Sequence, residues 1–338
     1  MSSLTTLNDF RKLLADLPGP SLAAEHAVRA REPQLTKPPG SLGRLEELSL
    51  WMAGWQNNTS PKTNTVEAHV FAGNHGITAQ GVSAYPPEVT QQMVANFENG
   101  GAAINQLCKT FDVTLAVHAL ELGRPTADFS AQPAMTETDC VAALSFGMNQ
   151  VTDGIDILCL GEMGIGNTTV SAAICHALYG ETAAFWTGPG TGVEGDALAH
   201  KAEVIAASVH FHKPHLNDGL DVLCRLGGRE LAAIAGAVLA ARIKRVPVLL
   251  DGYVVTAAAA ILNGVNTAAL DHCRIAHTSA EPGHLKLAET LSQKPLLDFG
   301  MRLGEASGAV LAVGLLKAAA NCHNGMATFT EAGVTDKD

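Results

Sequence analysis

Glu162 and Glu305 are the residues whose surroundings argue most directly for chemistry. Glu162 stands inside Gly161-Glu162-Met163-Gly164-Ile165-Gly166-Asn167-Thr168-Thr169. The apolar run at 155–160 reads as a buried strand and 170–178 as a helix, so the stretch is a strand, a glycine-bearing turn and a helix start. Such a turn lets a ligand approach the backbone, and the helix aims unpaired N–H groups and its positive end at it, which suits an anion. Asn167 or Thr168 serves equally as an ordinary N-cap, so the motif alone leaves phosphate binding and plain capping about even. A carboxylate at the mouth of an anion site runs against the expected field and points to chemistry. Glu305, in Met301-Arg302-Leu303-Gly304-Glu305-Ala306-Ser307-Gly308-Ala309, is expected in the first turn of the last long helix. An acid there suits the helix dipole in any protein; the alternative is a partly desolvated carboxylate acting as a base.

Gly188-Pro189-Gly190-Thr191-Gly192 is a second loop able to present several N–H groups to a phosphate, or else a turn whose glycines serve geometry alone. Lys201 on the next helix is the nearest cation to that loop, although a lysine there is more often on a solvated face. His75, in Gly73-Asn74-His75-Gly76, either bonds a substrate or fixes its own loop. The histidines at 210, 212 and 215 lack acidic neighbours in sequence and make a poor metal site.

These residues need a scaffold that brings distant loops together. Strands are expected at 66–72, 114–118, 155–160, 183–187, 246–250 and 273–278, most of them followed by a glycine- or acid-bearing loop and then a helix. Helices are expected at 4–30 with a break at Pro18-Gly19-Pro20, from a Ser41 cap to Trp55, and at 88–97, 138–150, 196–210, 229–242, 254–263, 284–292 and 305–321. The alternation predicts an α/β fold: a mostly parallel, Rossmann-like sheet with helices on both faces and ligands at the carboxyl ends of its strands.

The chain has 338 residues, 47% of them hydrophobic, enough for a large core. A net charge of −11 without a run of Lys or Arg argues against nucleic acid and anionic membrane as partners. Seven cysteines without a CxxC pair read as reduced, buried thiols of a cytoplasmic protein. The N-terminal segment reads as an amphipathic helix rather than a signal peptide, and the longest apolar stretches are too short to span a bilayer.

Seven motifs in collinear order, KPPGSLGRLEEL, FAGNHGITAQGVSAYP with QQMV, GEMGIGNTT, GPGTG with a downstream lysine, DGYV, SAEPGH and MRLGEASGA, resemble the nicotinate-nucleotide:5,6-dimethylbenzimidazole phosphoribosyltransferase family. The resemblance implies transfer of phosphoribose from nicotinate mononucleotide to a benzimidazole base, with inversion, giving α-ribazole 5′-phosphate and nicotinate for cobalamin assembly. It implies Glu305 as the catalytic base, Glu162 beside the ribose, and Ser83, Gln91, Met93 and Leu303 around the benzimidazole. It implies Gly164, Ile165, Gly166, Asn167, Gly190, Gly192 and Lys201 at the phosphate, with Asp251, Gly252 and Ser279 lining the nucleotide. A small helical domain from residues 1–30 and 305–338, a large α/β domain over 31–304, and a homodimer are further implications.

The chemistry agrees with this set. Nicotinate leaves from a positively charged pyridinium without a general acid, so one base for the azole N–H suffices, and no metal or other cofactor is expected. Glu162 then either stabilises positive charge on the ribose or holds its hydroxyls. A nicotinamide-dependent oxidoreductase is disfavoured because no GxGxxG follows the first strand, and a non-catalytic nucleotide sensor has no use for Glu305.

Overall fold

The computed structural model describes residues 4–335; residues 1–3 and 336–338, the outermost parts of the expected helical domain, lie outside the described residues. The chain opens with α1 (Leu7–Ala15), α2 (Leu22–Arg31) and α3 (Arg44–Gln56). There follow β1 (Val66–Ala72), α4 (Glu88–Glu98), α5 (Ala103–Phe111), β2 (Thr114–Ala119) and α6 (Glu137–Gln150). β3 (Ile157–Met163) feeds α7 (Asn167–Tyr179), α8 (Ala183–Trp186), α9 (Gly195–His212), α10 (Gly219–Leu226) and α11 (Arg229–Lys244). β4 (Val248–Leu250), α12 (Tyr253–Asn263), β5 (Cys273–Ile275), α13 (Pro282–Thr290), α14 (Ser307–Gly325) and α15 (Phe329–Ala332) complete it.

The five strands form one sheet in the order β2-β1-β3-β4-β5, and every pairing is parallel. This is a doubly wound α/β sheet whose order reverses between β1 and β3, where the crevice at the carboxyl ends opens. Alternation divides the sheet's two faces. Leu158 and Leu160 of β3 point into a core shared with α6, α7, α11 and α12, while Ile157 and Cys159 point into one shared with α3, α5 and α14. Helix α1 docks on the first core through Leu7, Phe10 and Leu14, each buried side chain contributing about 1.5–3 kcal/mol. Arg11 holds its other side, donating from Nε to Asp218 at 2.7 Å and from Nη2 to Asp221 at 2.8 Å. The chain ends meet where Arg31 donates to the His323 and Met326 carbonyls at 3.1 Å and Leu35 bridges Thr328.

Several expectations are revised. Residues 183–187 form no strand: Thr182 caps the Phe185 N–H at 3.2 Å, Thr187 donates to the Ala183 carbonyl at 2.7 Å, and α8 results. Ser41 does not cap α3, because Gly43 holds the N-cap position while Glu46 accepts from Leu42 N–H at 3.1 Å. β3 runs past Leu160 through Met163, since Gly161, Glu162 and Met163 pair with Val70, Phe71 and Ala72. Helix α5 is not among the elements expected from sequence; its Ile104 and Cys108 pack in the second core.

Helix α11 is buried along nearly its whole length and touches α6 through small residues. A Cβ on Gly147 would lie 1.8 Å from the Ala233 carbonyl oxygen. Gly147→Ala must push the two helices apart, so urea unfolding is expected to show a loss of about 1–3 kcal/mol. An unchanged midpoint would mean that this contact does not limit the core.

Candidate active site

The carboxyl ends of β3, β4 and β5 and the segment before α14 surround a cavity of about 250 Å³. It lies on the β3–β4–β5 side of the reversal of strand order, and at the reversal itself Gly73 N–H, just past β1, donates to the Met163 carbonyl at 3.0 Å. A larger cavity of about 810 Å³, lined in part by Arg44, Asp271, Arg274 and Lys294, lies toward the amino end of β5 and contains none of the expected site residues.

One end of the smaller cavity is positive. Gly166 takes a left-handed φ of 93° and serves as N-cap of α7, so the first turn of that helix faces the space. Lys201 is buried, and its Nζ donates to Thr168 Oγ1 and to the Gly188 carbonyl, both at 2.9 Å. Burial lowers its pKa to about 8, opposed by the charge of Glu281. Arg302 donates from Nη1 to the Gly190 carbonyl at 2.9 Å. Not every loop amide is free for an anion: Ile165 N–H donates to Thr90 Oγ1 at 3.1 Å, and Gly190 N–H to Glu281 Oε1 at 3.0 Å.

The other end gathers carboxylates. Glu162 is buried on β3 and accepts a hydrogen bond from Asn167 Nδ2. Burial, then the charges of Asp251, Glu230 and Glu305, hold its pKa well above the ordinary carboxylate range. Asp251 Oδ1 accepts Ala309 N–H at 2.9 Å and lies 3.5 Å from His277 Nε2. Burial alone would depress His277, but the nearby Asp251 carboxylate outweighs it and raises its pKa. Glu305 is pushed up to about 7, by burial first and by Asp251 second.

Glu305 is not in the first turn of α14. The helix begins at Ser307, and Glu305 and Ala306 before it both lie in the left-handed region, with φ of 63° and 62°. Two consecutive non-glycine residues there are strained, a condition found where tertiary structure enforces a functional geometry. Two close approaches enforce it here. A Cβ on Gly161 would sit 2.1 Å from Ala306 N, and one on Gly304 would sit 2.4 Å from Glu162 Oε1. The end of β3 and the turn before α14 are pressed together, and the two glutamates with them.

Of the residues singled out from sequence, Glu162, Gly164, Ile165, Asn167, Gly190, Gly252, Ser279 and Leu303 line the cavity. Glu305, Asp251 and Lys201 are buried, tied to it through the charges and bonds above. Ser83 is near its rim, 3.4 Å from Thr191 Oγ1. Gln91 is exposed on α4, Met93 packs against the second core, and neither lines the cavity, nor does Gly192. His75 fixes its loop: Nε2 lies 2.6 Å from Glu230 Oε1, and both side chains are buried behind Gly164. His212 Nε2 is engaged with the Phe129 carbonyl at 2.8 Å, and no group of three or more metal-binding side chains exists among the described residues. Tyr85, Thr168, His277, Glu281 and Arg302 also line the cavity, although none is among the site residues expected from sequence. Arg302 and Glu281 stand in motifs already quoted, and His277 follows a strand as the chosen residues do.

A family model described as phosphoribosyltransferase matches residues 17–334. The chain is 58% identical over 330 residues to the nicotinate-nucleotide–dimethylbenzimidazole phosphoribosyltransferase of Rhizobium rhizogenes, covering 98% of this chain and 97% of that one. It is 58% identical over 327 residues to the enzyme of that name from Agrobacterium fabrum, covering 97% and 95%. The crystal structure of a protein of that name from Thermus thermophilus superposes with a TM-score of 0.84 at 39% identity, covering 94% of this chain and all of that one.

The raised Glu305 pKa has a consequence for folding. A carboxyl whose pKa is higher in the folded chain than its ordinary 4.5 contributes stability that is fully present below 4.5 and is lost as pH rises through about 7. Glu305→Gln should therefore show a smaller fall in Tm between about pH 5 and about pH 8 than the parent chain. Equal falls in scanning calorimetry would contradict the burial and repulsion described.

Proposed function

The chain belongs to the nicotinate-nucleotide–dimethylbenzimidazole phosphoribosyltransferase family, and from that premise we propose how its cavity transfers phosphoribose from nicotinate mononucleotide to dimethylbenzimidazole. The observation that carries the reading is the cavity's polarity. Its α7 and Lys201 end suits a phosphate, and its Glu162, Asp251 and Glu305 end suits a departing pyridinium and an incoming azole.

The phosphate rests against the first turn of α7 and Lys201, which holds it through Thr168. Gly164, Gly166 and Asn167 shape that end, while the Gly188–Gly192 loop orients Lys201 through the Gly188 carbonyl. The ribose spans the cavity past Gly252 and Ser279. The azole stacks toward Leu303 and Tyr85, with Ser83 at the rim; Gln91 and Met93 enter the same proposal through the family motif. The azole's unprotonated nitrogen bonds to the anomeric carbon as the bond to the pyridinium nitrogen breaks on the opposite side, so the configuration inverts. Nicotinate departs with the electron pair of that bond. The proton on the other azole nitrogen passes to Glu305, whose pKa near 7 matches it to this task better than an ordinary carboxylate. Glu162 lines the cavity beside the ribose, where the developing positive charge opposes the burial and repulsion that raise its pKa, favours its ionised form and is stabilised by it in turn. The products are α-ribazole 5′-phosphate and nicotinate.

We also propose that the protein works as a homodimer in the cytoplasm. The family resemblance supports the first, and sedimentation at twice 35.1 kDa tests it. Seven free cysteines support the second. No helix among the described residues is long and apolar enough to cross a membrane. We propose too a small helical unit from residues 1–30 and 305–338; the Arg31 and Leu35 ties bring the C-terminal segment to the chain just beyond residue 30, while α1 and α14 pack in different cores of the sheet.

Glu305→Gln is expected to lower kcat by about 10² to 10⁴ at saturating benzimidazole, and near-normal turnover would remove Glu305 from the mechanism. A base works when ionised, so kcat should rise with pH through about 7. Asp251→Asn, which removes a repelling charge, should move that midpoint down. Lys201→Ala should raise KM for nicotinate mononucleotide more than it lowers kcat; an unchanged KM would overturn the phosphate assignment.

A further inference from the structure

Glu281 does not figure in the mechanism above. It lies in the loop after β5 at the N-cap of α13, is 6% exposed, and lines the cavity beside Gly190. One of its oxygens, Oε1, accepts Gly190 N–H at 3.0 Å, while Oε2 has no partner among the described residues. The nearby cations do not bond to it: Lys201 donates to Thr168 and Gly188, and Arg302 to the Gly190 carbonyl. A carboxylate offers about four lone-pair positions, and a buried one left this short of donors is costly unless a ligand provides them.

The substrates offer few donors. The phosphate dianion, the nicotinate carboxylate and the pyridinium ring carry no N–H or O–H, and the azole N–H is given to Glu305. The ribose hydroxyls remain. The ribose joins the phosphate to the leaving group, so it passes between the Lys201 end and the Glu305 end, along the wall that Gly190 and Glu281 share. Glu162, the other carboxylate lining the cavity, likewise has one oxygen engaged, by Asn167 Nδ2, but unlike Glu281 it has no buried oxygen without a partner among the described residues. Support of Gly190 explains a single acceptor, not a carboxylate on the cavity wall.

Resting on the placement of nucleotide given above, we propose that Glu281 accepts a hydrogen bond from a ribose hydroxyl and sets a preference for the ribonucleotide over a deoxyribonucleotide. It is a specificity-determining residue for this reaction.

The test is a cycle of kcat/KM values at saturating dimethylbenzimidazole. The parent enzyme and Glu281→Gln are each assayed with nicotinate mononucleotide and with its 2′-deoxy and 3′-deoxy analogues. Glutamine keeps a carbonyl for Gly190 N–H but loses the charged acceptor. The substitution should cost about tenfold or more with the ribonucleotide and about twofold or less with one of the deoxy analogues, the signature of a lost charge-assisted bond. A cost equal for all three substrates would overturn the proposal, because a residue that only holds Gly190 behaves that way. Should Glu281→Gln fail to fold, the parent enzyme decides, since equal kcat/KM on all three substrates also refutes it. Failure of the underlying placement reads differently: Lys201→Ala would leave KM for nicotinate mononucleotide unchanged whatever the deoxy analogues show.

Discussion

Burial of carboxylates, and after it the repulsion among them, governs this structure. Glu162, Asp251 and Glu305 come from β3, the residue just past β4 and the turn before α14, and they lie where little water screens them. Left alone they would separate or take up protons. Separation is prevented by packing: Gly161 against Ala306 and Gly304 against Glu162 bind the turn to the strand, and Asp251 is tied to Ala309 N–H at 2.9 Å. Proton uptake is what remains, and it appears as the raised pKa values of Glu162 and Glu305. The left-handed pair at 305 and 306 is strain that the surrounding core sustains, and it holds the Glu305 carboxyl where its pKa lies at about 7.

The same fold keeps Lys201 apart from Glu162, Asp251 and Glu305, with Glu281 as the carboxylate on its own side. Lys201 is turned away from the acids by Thr168 and the Gly188 carbonyl, and the first turn of α7 faces the same end. Parallel strands make this division possible, because all their carboxyl ends share one edge and the reversal between β1 and β3 opens a crevice there. A buried His75–Glu230 pair behind Gly164 braces the floor of the crevice. Its Glu230 adds to the field that raises Glu162. A substrate with an anionic phosphate and a cationic ring complements both ends at once.

Much of the fold was legible because periodicity and burial agree in it. Residues 66–72 alternate between two buried faces and form the strand expected there. Where local and tertiary preferences part, the reading failed. Residues 183–187 carry strand-like side chains, yet a Thr182 cap and the burial of Trp186 turn them into a helix. Glu305 looks like an ordinary first-turn acid, and only the approach of Gly161 shows why the chain bends before the helix starts. Residue type and spacing do not single out Glu281 and His277, because the groups they face across the cavity are brought there only by folding.

The sequence by itself determined the alternating βα order, the glycine turns that follow the strands and the motifs in which Glu162 and Glu305 stand. Those features depend on residue type and short spacing, which a linear chain displays. Only the tertiary structure decided which amides remain free, which acids repel one another and which groups turn Lys201 away from them. Ile165 and Gly190 look in sequence like phosphate donors, but Thr90 and Glu281, 75 and 91 residues away, already take their N–H groups. Hydrogen bonds saturate and charges act through space, so the chemistry of each group is set by neighbours that sequence distance does not reveal.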